Sequence, residues 1–200
     1  MTQTKLYVEG GGDSKEQHAR CREGFRKLLE KAGFTERMPR IVAGGGRNAT
    51  FDKFKTSVRS AGTNDYPILL VDSEEVVSDN TTAWAHLKNR DDWDRPAGVA
   101  EDQAQVMVTC METWFMADQG ALRSYFGNTL NERRLFPTND LETRHRHLVR
   151  DALAEATRHC KRNYHKGDRS FEILAELDPQ MLKRFLPHFL TLIQALENHL

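Results

Sequence analysis

Short unbroken runs of apolar residues alternate with longer segments in which apolar residues recur every three or four positions. The runs at residues 6–8, 40–43 and 67–71 are bounded by glycine or turn residues, which predicts strands buried on both faces. The segments that follow the first two runs have helical spacing and begin near capping residues such as Ser14 and Asn48. Strands and helices that alternate in this way predict an α/β fold with a mainly parallel sheet flanked by helices.

The second half of the chain is predicted to be mostly helical. A fourth strand is predicted at residues 105–108, and Asp118 is placed to cap the next helix. Apolar spacing predicts one long helix from about residue 140 to about residue 162, with ends good to a few residues. Pro187 is expected to kink or split the last apolar stripe.

The length and the charge balance limit the class of protein. A chain of 200 residues can form a real core, and we predict an α/β core at residues 1–127 with a helical C-terminal extension at residues 128–200 packed on it. The 29 basic and 29 acidic residues cancel, so the overall positive field of strongly nucleic-acid-binding proteins is missing. Basic residues are concentrated between Arg123 and Arg169, where a polyanion-facing surface and an ordinary solvated helix face both remain open.

Cysteine use and hydropathy bear on the location of the protein. Cys21, Cys110 and Cys160 are far apart and match no metal or redox spacing, which predicts a reducing, cytoplasmic environment. No charged-then-apolar leader is visible, and no segment approaches the roughly 20 apolar residues of a membrane span. We therefore expect no membrane partner.

Acidic residues follow two of the predicted strands. Glu9 comes directly after the first strand, and Asp72 and Glu74 come directly after the third. The carboxyl ends of neighbouring parallel strands lie about 5 Å apart, so the three carboxylates should meet if strands one and three are adjacent. Strand alternation should place Ser73 on the other side. Carboxylates placed together suit Mg²⁺ or Mn²⁺, although a lone acid at a strand end is more often a cap or a solvated residue.

Other polar residues are candidates with open alternatives. Glu112 could add a metal ligand or be a buried hydrogen-bond partner, and Asp118 could add a ligand or be only a helix cap. Lys166, in a Tyr-x-Lys-Gly turn, could clamp a phosphate or be a solvated lysine. Arg47 follows a glycine run at a predicted helix N-terminus, where anions bind readily.

Val-Glu-Gly at residues 8–10 before a helix, with Asp-Ser-Glu at residues 72–74 after a buried strand, resembles the TOPRIM fold of topoisomerases and primases. The closer likeness is to small bacterial TOPRIM-like proteins of a domain-of-unknown-function family, often found beside ATPases in phage-defence loci. That likeness also takes in residues 112–118 and 164–167 before Ser170, and so covers nearly the whole chain. Glu74 stands where the general TOPRIM pattern has its second aspartate.

The resemblance implies a Mg²⁺- or Mn²⁺-dependent phosphodiesterase, a nuclease that serves in anti-phage defence with an ATPase partner and a nucleic acid substrate. Glu9 would act as general acid or base near the scissile phosphate. Asp72 and Glu74 would hold the metal, with Glu9 and Glu112 as further ligands.

The candidate phosphate-contacting residues are Arg47, Lys166 and Ser170, with Lys166 also a catalytic candidate. Two other functions remain open. The neutral net charge slightly favours a TOPRIM-like binding or regulatory subunit that cleaves nothing, and phosphotransfer to a nucleotide or small molecule is a weaker third possibility.

Overall fold

The computed structural model describes residues 3–62, 65–165 and 167–200, and for Gln3 and Asp168 only the backbone is described. Within these residues the chain forms a four-stranded parallel sheet in the order β2-β1-β3-β4. The strands are β1 (Gln3–Val8), β2 (Arg40–Ala43), β3 (Asp65–Asp72) and β4 (Ala104–Met107). The predicted α/β fold with a parallel sheet is confirmed, and β1 and β3 are neighbours.

Helices cover the sheet and form the C-terminal part of the chain. They are α1 (Lys15–Leu29), α2 (Arg47–Ser60), α3 (Ala83–Asp91), α4 (Glu112–Ala117), α5 (Gln119–Phe126), α6 (Arg146–Thr157), α7 (Asp168–Glu176), α8 (Pro179–Phe185) and α9 (Pro187–His199). None of these described helices has the length and apolar character needed to cross a bilayer.

Side chains of the central strands alternate between two apolar layers. Leu6 and Val8 belong to one buried cluster with residues of α1 and the C-terminal helices, whereas Tyr7 belongs to a second cluster with residues of α2 and α3. The residues of β3 alternate in the same way. A strand covered on both faces needs apolar residues at every position, which explains the unbroken runs in the sequence.

The C-terminal helices pack on the sheet through one continuous core. The ring of Trp114 in α4 makes edge contacts with Phe25 of α1 and Phe189 of α9, at centroid distances of 6.3 and 4.9 Å. All three rings are at most 1% exposed, and burial of such rings is a major stabilising contribution. The division of the chain at residue 127 stays a prediction.

Three of the predicted helix boundaries are confirmed. Ser14 caps α1 by accepting a hydrogen bond from Gln17 N, and Asp118 caps α5 by accepting one from Ala121 N at 3.0 Å. Pro187 does split the last stripe, because α8 ends at Phe185 and α9 begins at Pro187.

The single long helix predicted from about residue 140 to about residue 162 is wrong. Asp140 has a left-handed backbone with φ of 55°, which leads into a 3₁₀ turn at Leu141–Thr143, and α6 begins only at Arg146. At the other end Thr157 Oγ1 accepts a hydrogen bond from Tyr164 N at 2.9 Å. Such side-chain to backbone bonds compete with continued helix, and the chain then brings Tyr164 to Glu112 of α4.

Candidate functional site

The carboxyl ends of β1 and β3 lie side by side, and this places Glu9 next to Asp72. Val8 is paired with Leu70 in the sheet, and Glu9 N donates to Leu70 O at 2.9 Å. The Glu9 carboxylate then accepts a hydrogen bond from Asp72 N at 3.1 Å. The acid after one strand is therefore fixed by the backbone of the acid that ends the other.

Three carboxylates meet at this edge. One oxygen from each of Glu9, Asp72 and Glu74 lies within 4.8 Å of the others, and we call these residues the acidic trio. Glu74 reaches the trio through a left-handed backbone with φ of 66°, because the strand has already ended at Asp72. The expected convergence is therefore present, but a turn and not strand alternation produces it. Ser73 lies elsewhere, where its Oγ accepts a hydrogen bond from Thr109 N at 2.7 Å.

Backbone contacts also fix the orientation of Asp72. Its Oδ1 accepts a hydrogen bond from Met111 N at 2.9 Å, just before α4 begins. The side chains of Glu9, Asp72 and Glu74 are 17%, 8% and 13% exposed. Charges in such partly dry surroundings interact more strongly than charges in bulk water. Main-chain hydrogen bonds therefore hold the carboxylates of Glu9 and Asp72 in place.

Two glycine turns form one wall of a cavity of about 370 Å³ beside the trio. Gly10 and Gly45 join the turns by reciprocal backbone hydrogen bonds of 2.9 and 3.0 Å. Both have positive φ, 132° and 85°, which favours glycine. The lining also includes the apolar side chains of Met107, Met111 and Phe171. The cavity is thus lined by glycine main chain, apolar side chains and carboxylates.

Arg47, the predicted phosphate contact, is paired with carboxylates. At the N-terminus of α2, it donates to Asp91 through Nε and Nη2 at 3.0 and 2.6 Å, and its Nη1 lies 3.3 Å from Glu9 Oε2. Nη1 also donates to Asp72 O. Burial opposes ionisation of Asp91, but Arg47 and, to a smaller extent, Arg90 outweigh burial and lower the pKa of Asp91. Arg47 therefore ties the trio to α3, and its contact with a phosphate stays a prediction.

Three further arginines contact the acids, and the sequence analysis did not assign them to the site. Arg90 of α3 lies 3.5 Å from Glu74 Oε2, and Arg146 of α6 pairs with the same carboxylate. Arg150, also of α6, lies 3.8 Å from Asp72 Oδ2 and 3.4 Å from Glu112 Oε2. Arg146 and Arg150 lie in the basic segment between Arg123 and Arg169. That concentration of basic residues was the feature of the sequence that could have indicated them.

Glu112 is a buried hydrogen-bond partner at the back of the cavity. It is 1% exposed and accepts a hydrogen bond from Tyr164 Oη at 2.8 Å, and Tyr164 Oη lies 2.9 Å from Ser170 Oγ. Burial, reinforced by the Glu112 charge, raises the pKa of Tyr164 well above its usual range. Glu112 and Ser170 both line the cavity, and their roles toward metal and phosphate stay predictions.

The remaining residues considered in the sequence are Lys166, Asp118 and the cysteines. Lys166 lies outside the described residues. Asp118 caps α5, and its Oδ2 accepts a hydrogen bond from Asp178 N at 2.8 Å, as a structural cap does. Cys110 is buried, and burial raises the pKa of its thiol to about 12, so its thiolate form is suppressed near neutral pH.

A family model described as a domain of unknown function, DUF4276, matches residues 8–197. No curated protein and no solved structure matches the chain. The matched range begins one residue before Glu9 and includes the trio, the cavity and α6.

Proposed function

The chain belongs to the DUF4276 family, and we propose that it is a Mg²⁺- or Mn²⁺-dependent phosphodiesterase of the TOPRIM type, a nuclease that cleaves DNA or RNA. The observation that carries the proposal is the convergence of Glu9, Asp72 and Glu74, with one oxygen of each within 4.8 Å of the others. The trio lies at the carboxyl edge of a parallel sheet, where α/β proteins commonly bind ligands.

The donor set fits a hard divalent cation. Mg²⁺ and Mn²⁺ prefer carboxylate oxygens and are usually bound through one or two carboxylates together with phosphate oxygens of the substrate. Asp72 and Glu74 would hold the cation, with Glu9 and Glu112 as further candidate ligands. A bound divalent cation supplies charge neutralisation at the phosphate. Acids alone would repel that phosphate.

Glu9 would move the proton. Its carboxylate is oriented by Asp72 N and by Arg47, so it can face a nucleophile without a change of rotamer. Proton transfer by a group positioned in this way typically contributes about 10²–10⁴-fold to a rate. Lys166 and Ser170 would contact the phosphate, as the TOPRIM-like resemblance implies.

A cleavage assay with acid variants tests the proposal. Purified protein should cut single-stranded DNA, duplex DNA or RNA when Mg²⁺ or Mn²⁺ is present, and Glu9→Gln should lower the rate about 10²–10⁴-fold. Glu142→Gln is the matched control, because Glu142 is also a largely buried acid, 12% exposed, but is paired with His188 away from the cavity. Cleavage that survives in both Glu9→Gln and Asp72→Asn would exclude this site.

The biological setting is part of the same proposal. A role in anti-phage defence beside an ATPase partner is supported by the TOPRIM-like resemblance alone. Cells that carry the protein with its neighbouring ATPase should reduce phage plaque counts, and Asp72→Asn should remove that protection. Equal plaque counts with and without the intact pair would remove the defence role and leave the proposed chemistry standing.

One observation favours a second candidate function, a binding or regulatory subunit that cleaves nothing. Each carboxylate of the trio already contacts an arginine: Arg47 contacts Glu9, Arg150 contacts Asp72, and Arg146 contacts Glu74. Such a network can be purely structural. Mn²⁺ binding in calorimetry, with no cleavage of any of the three nucleic acids, would select this function.

A further inference from the structure

Two arginines of the C-terminal region reach the acidic trio from one face of α6. Arg146 and Arg150 are one helical turn apart, so their side chains lie on the same side of the helix. Arg146 pairs with Glu74, and Arg150 lies near both Asp72 and Glu112. Helix α6 therefore brings two positive charges to the acids at the edge of the cavity.

The contacts of Arg150 are incomplete. Its Nε is 3.4 Å from Glu112 and its Nη2 is 3.8 Å from Asp72, yet Nε and Nη2 are buried and neither has a hydrogen-bond partner among the described residues. Arg47, by comparison, donates two hydrogen bonds to the single carboxylate of Asp91. Buried donors without acceptors are unfavourable, and a guanidinium fork matches the oxygens of a phosphate. The side chain of Arg150 is therefore held near acids without being satisfied by them.

We propose that Arg146 and Arg150 form a phosphate-binding pair that contacts the trio in the cation-free protein and turns to the substrate's phosphate when a divalent cation binds the trio. The inference rests on the proposed function, since it takes the cation site as given, and it names a phosphodiester anion as the ligand. Two fixed positive charges compete with a cation for the same carboxylates. A phosphate that accepts from both guanidinium groups removes this competition.

Cation and phosphate must then bind cooperatively. Whatever factor the phosphate gives to cation affinity, the cation gives to phosphate affinity, because coupling between two sites is reciprocal. The cation alone and the phosphate alone would each bind weakly, and each would bind more tightly when the other is present. The arginines would thereby prevent the protein from holding a cation in the absence of substrate.

Calorimetric titration of Mn²⁺ into the full chain, with and without saturating dimethyl phosphate, tests the inference. Dimethyl phosphate is the probe because it is a phosphodiester too small to contact more than the immediate site. In the wild type it should increase Mn²⁺ affinity by about fivefold or more. Arg146→Ala and Arg150→Ala should bind Mn²⁺ alone more tightly than the wild type and should lose the effect of dimethyl phosphate.

Arg158→Ala is the matched control. Arg158 follows the end of the same helix, is 64% exposed and pairs only with Glu155 among the described residues, so this variant should behave as the wild type. Circular dichroism melting checks that each variant is folded. Arg150→Lys keeps the charge without the fork and should show a reduced phosphate effect, which decides the matter if Arg150→Ala does not fold.

The possible failures are distinguishable. Absence of Mn²⁺ binding to the wild type both with and without dimethyl phosphate would overturn the cation site, and both proposals with it. Mn²⁺ binding that needs Asp72 but is unaffected by dimethyl phosphate would overturn this inference alone. The same holds if the phosphate effect persists in both alanine variants.

Discussion

Acids lie at both ends of the parallel sheet, but their surroundings differ. At the amino end Asp102 accepts hydrogen bonds from Tyr66 Oη at 2.6 Å and from His199 Nε2 at 2.8 Å, and the Tyr66 and His199 rings stack. This acid is satisfied, and it fastens the end of α9 to the sheet. At the carboxyl end three acids converge beside a cavity and face arginines in imperfect geometry.

The comparison separates an acid that stabilises the fold from acids that are proposed to bind a ligand. A single acid with two well-placed donors stabilises a fold and has little left to offer a ligand. Several like charges held together oppose folding and persist only where something else is gained. Substitutions at the amino end should therefore lower the stability of the fold, whereas substitutions at the carboxyl end should lower the activity.

The largest expected effect is on cleavage. Asp72→Asn should lower the Mg²⁺-dependent rate about 10²-fold or more, because one hard charged ligand is lost from the trio. Asp102→Asn should leave the rate per folded molecule unchanged. Initial rates on a labelled oligonucleotide measure both variants, and an equal loss in the two would remove the distinction between the ends of the sheet.

A medium effect is expected behind the cavity. Tyr164→Phe removes the hydroxyl that donates to the buried Glu112 carboxylate, which should lower the free energy of unfolding by about 1–2 kcal/mol. Urea unfolding measures it. Tyr125→Phe is the control, since its hydroxyl contacts the exposed acid Glu172 and its loss should cost much less. Equal effects in the two variants would contradict the importance of burial here.

A smaller effect is expected at the amino end. Asp102→Asn weakens the hydrogen bonds with Tyr66 and His199, but the Asp102 side chain is 37% exposed, so solvent limits the loss to about 1 kcal/mol. Thermal and urea unfolding should both show it. No change in stability would mean that α9 is held by its apolar contacts alone.

The smallest effect is a pH dependence of that same contact. Burial opposes ionisation of Asp102, but its hydrogen bonds with Tyr66 and His199 outweigh burial and lower its pKa from the ordinary 3.8. A lowered pKa in the folded state gives stabilisation that is complete above the ordinary value and is lost as the pH falls through the folded-state value. The stability difference between wild type and Asp102→Asn should therefore shrink below about pH 4. A difference that grows on acidification would contradict this sign.

The sequence predicts the sheet and the trio for the same physical reason. Unbroken apolar runs such as residues 67–71 are required only where both faces are covered, and parallel strands end at a shared edge. The acids at the carboxyl ends of β1 and β3, Glu9 and Asp72, therefore had to meet once the strands were neighbours. Glu74 joins them only through a left-handed backbone conformation, which a glutamate at that position does not predict.

The arginine contacts could not be predicted in this way. Arg146 and Arg150 have the spacing of any solvated helical face, and only the packing of α6 against α4 brings them to the acids. The single helix predicted from about residue 140 to about residue 162 was wrong for a local reason. Asp140 has a left-handed backbone, and Thr157 Oγ1 accepts a hydrogen bond from Tyr164 N beyond the end of α6. Long-range placement and side-chain competition with the backbone are both weakly encoded in periodicity.

The two glycine turns joined at Gly10 and Gly45 limit which parts of the cavity lining can differ among relatives. A β-carbon at Gly44 would lie 2.0 Å from Thr50 Oγ1, and Gly12 has a positive φ of 50°, which favours glycine. The turns themselves therefore tolerate little change. Relatives that admit larger or smaller ligands would have to differ at the apolar side chains of the lining, Met107, Met111 and Phe171.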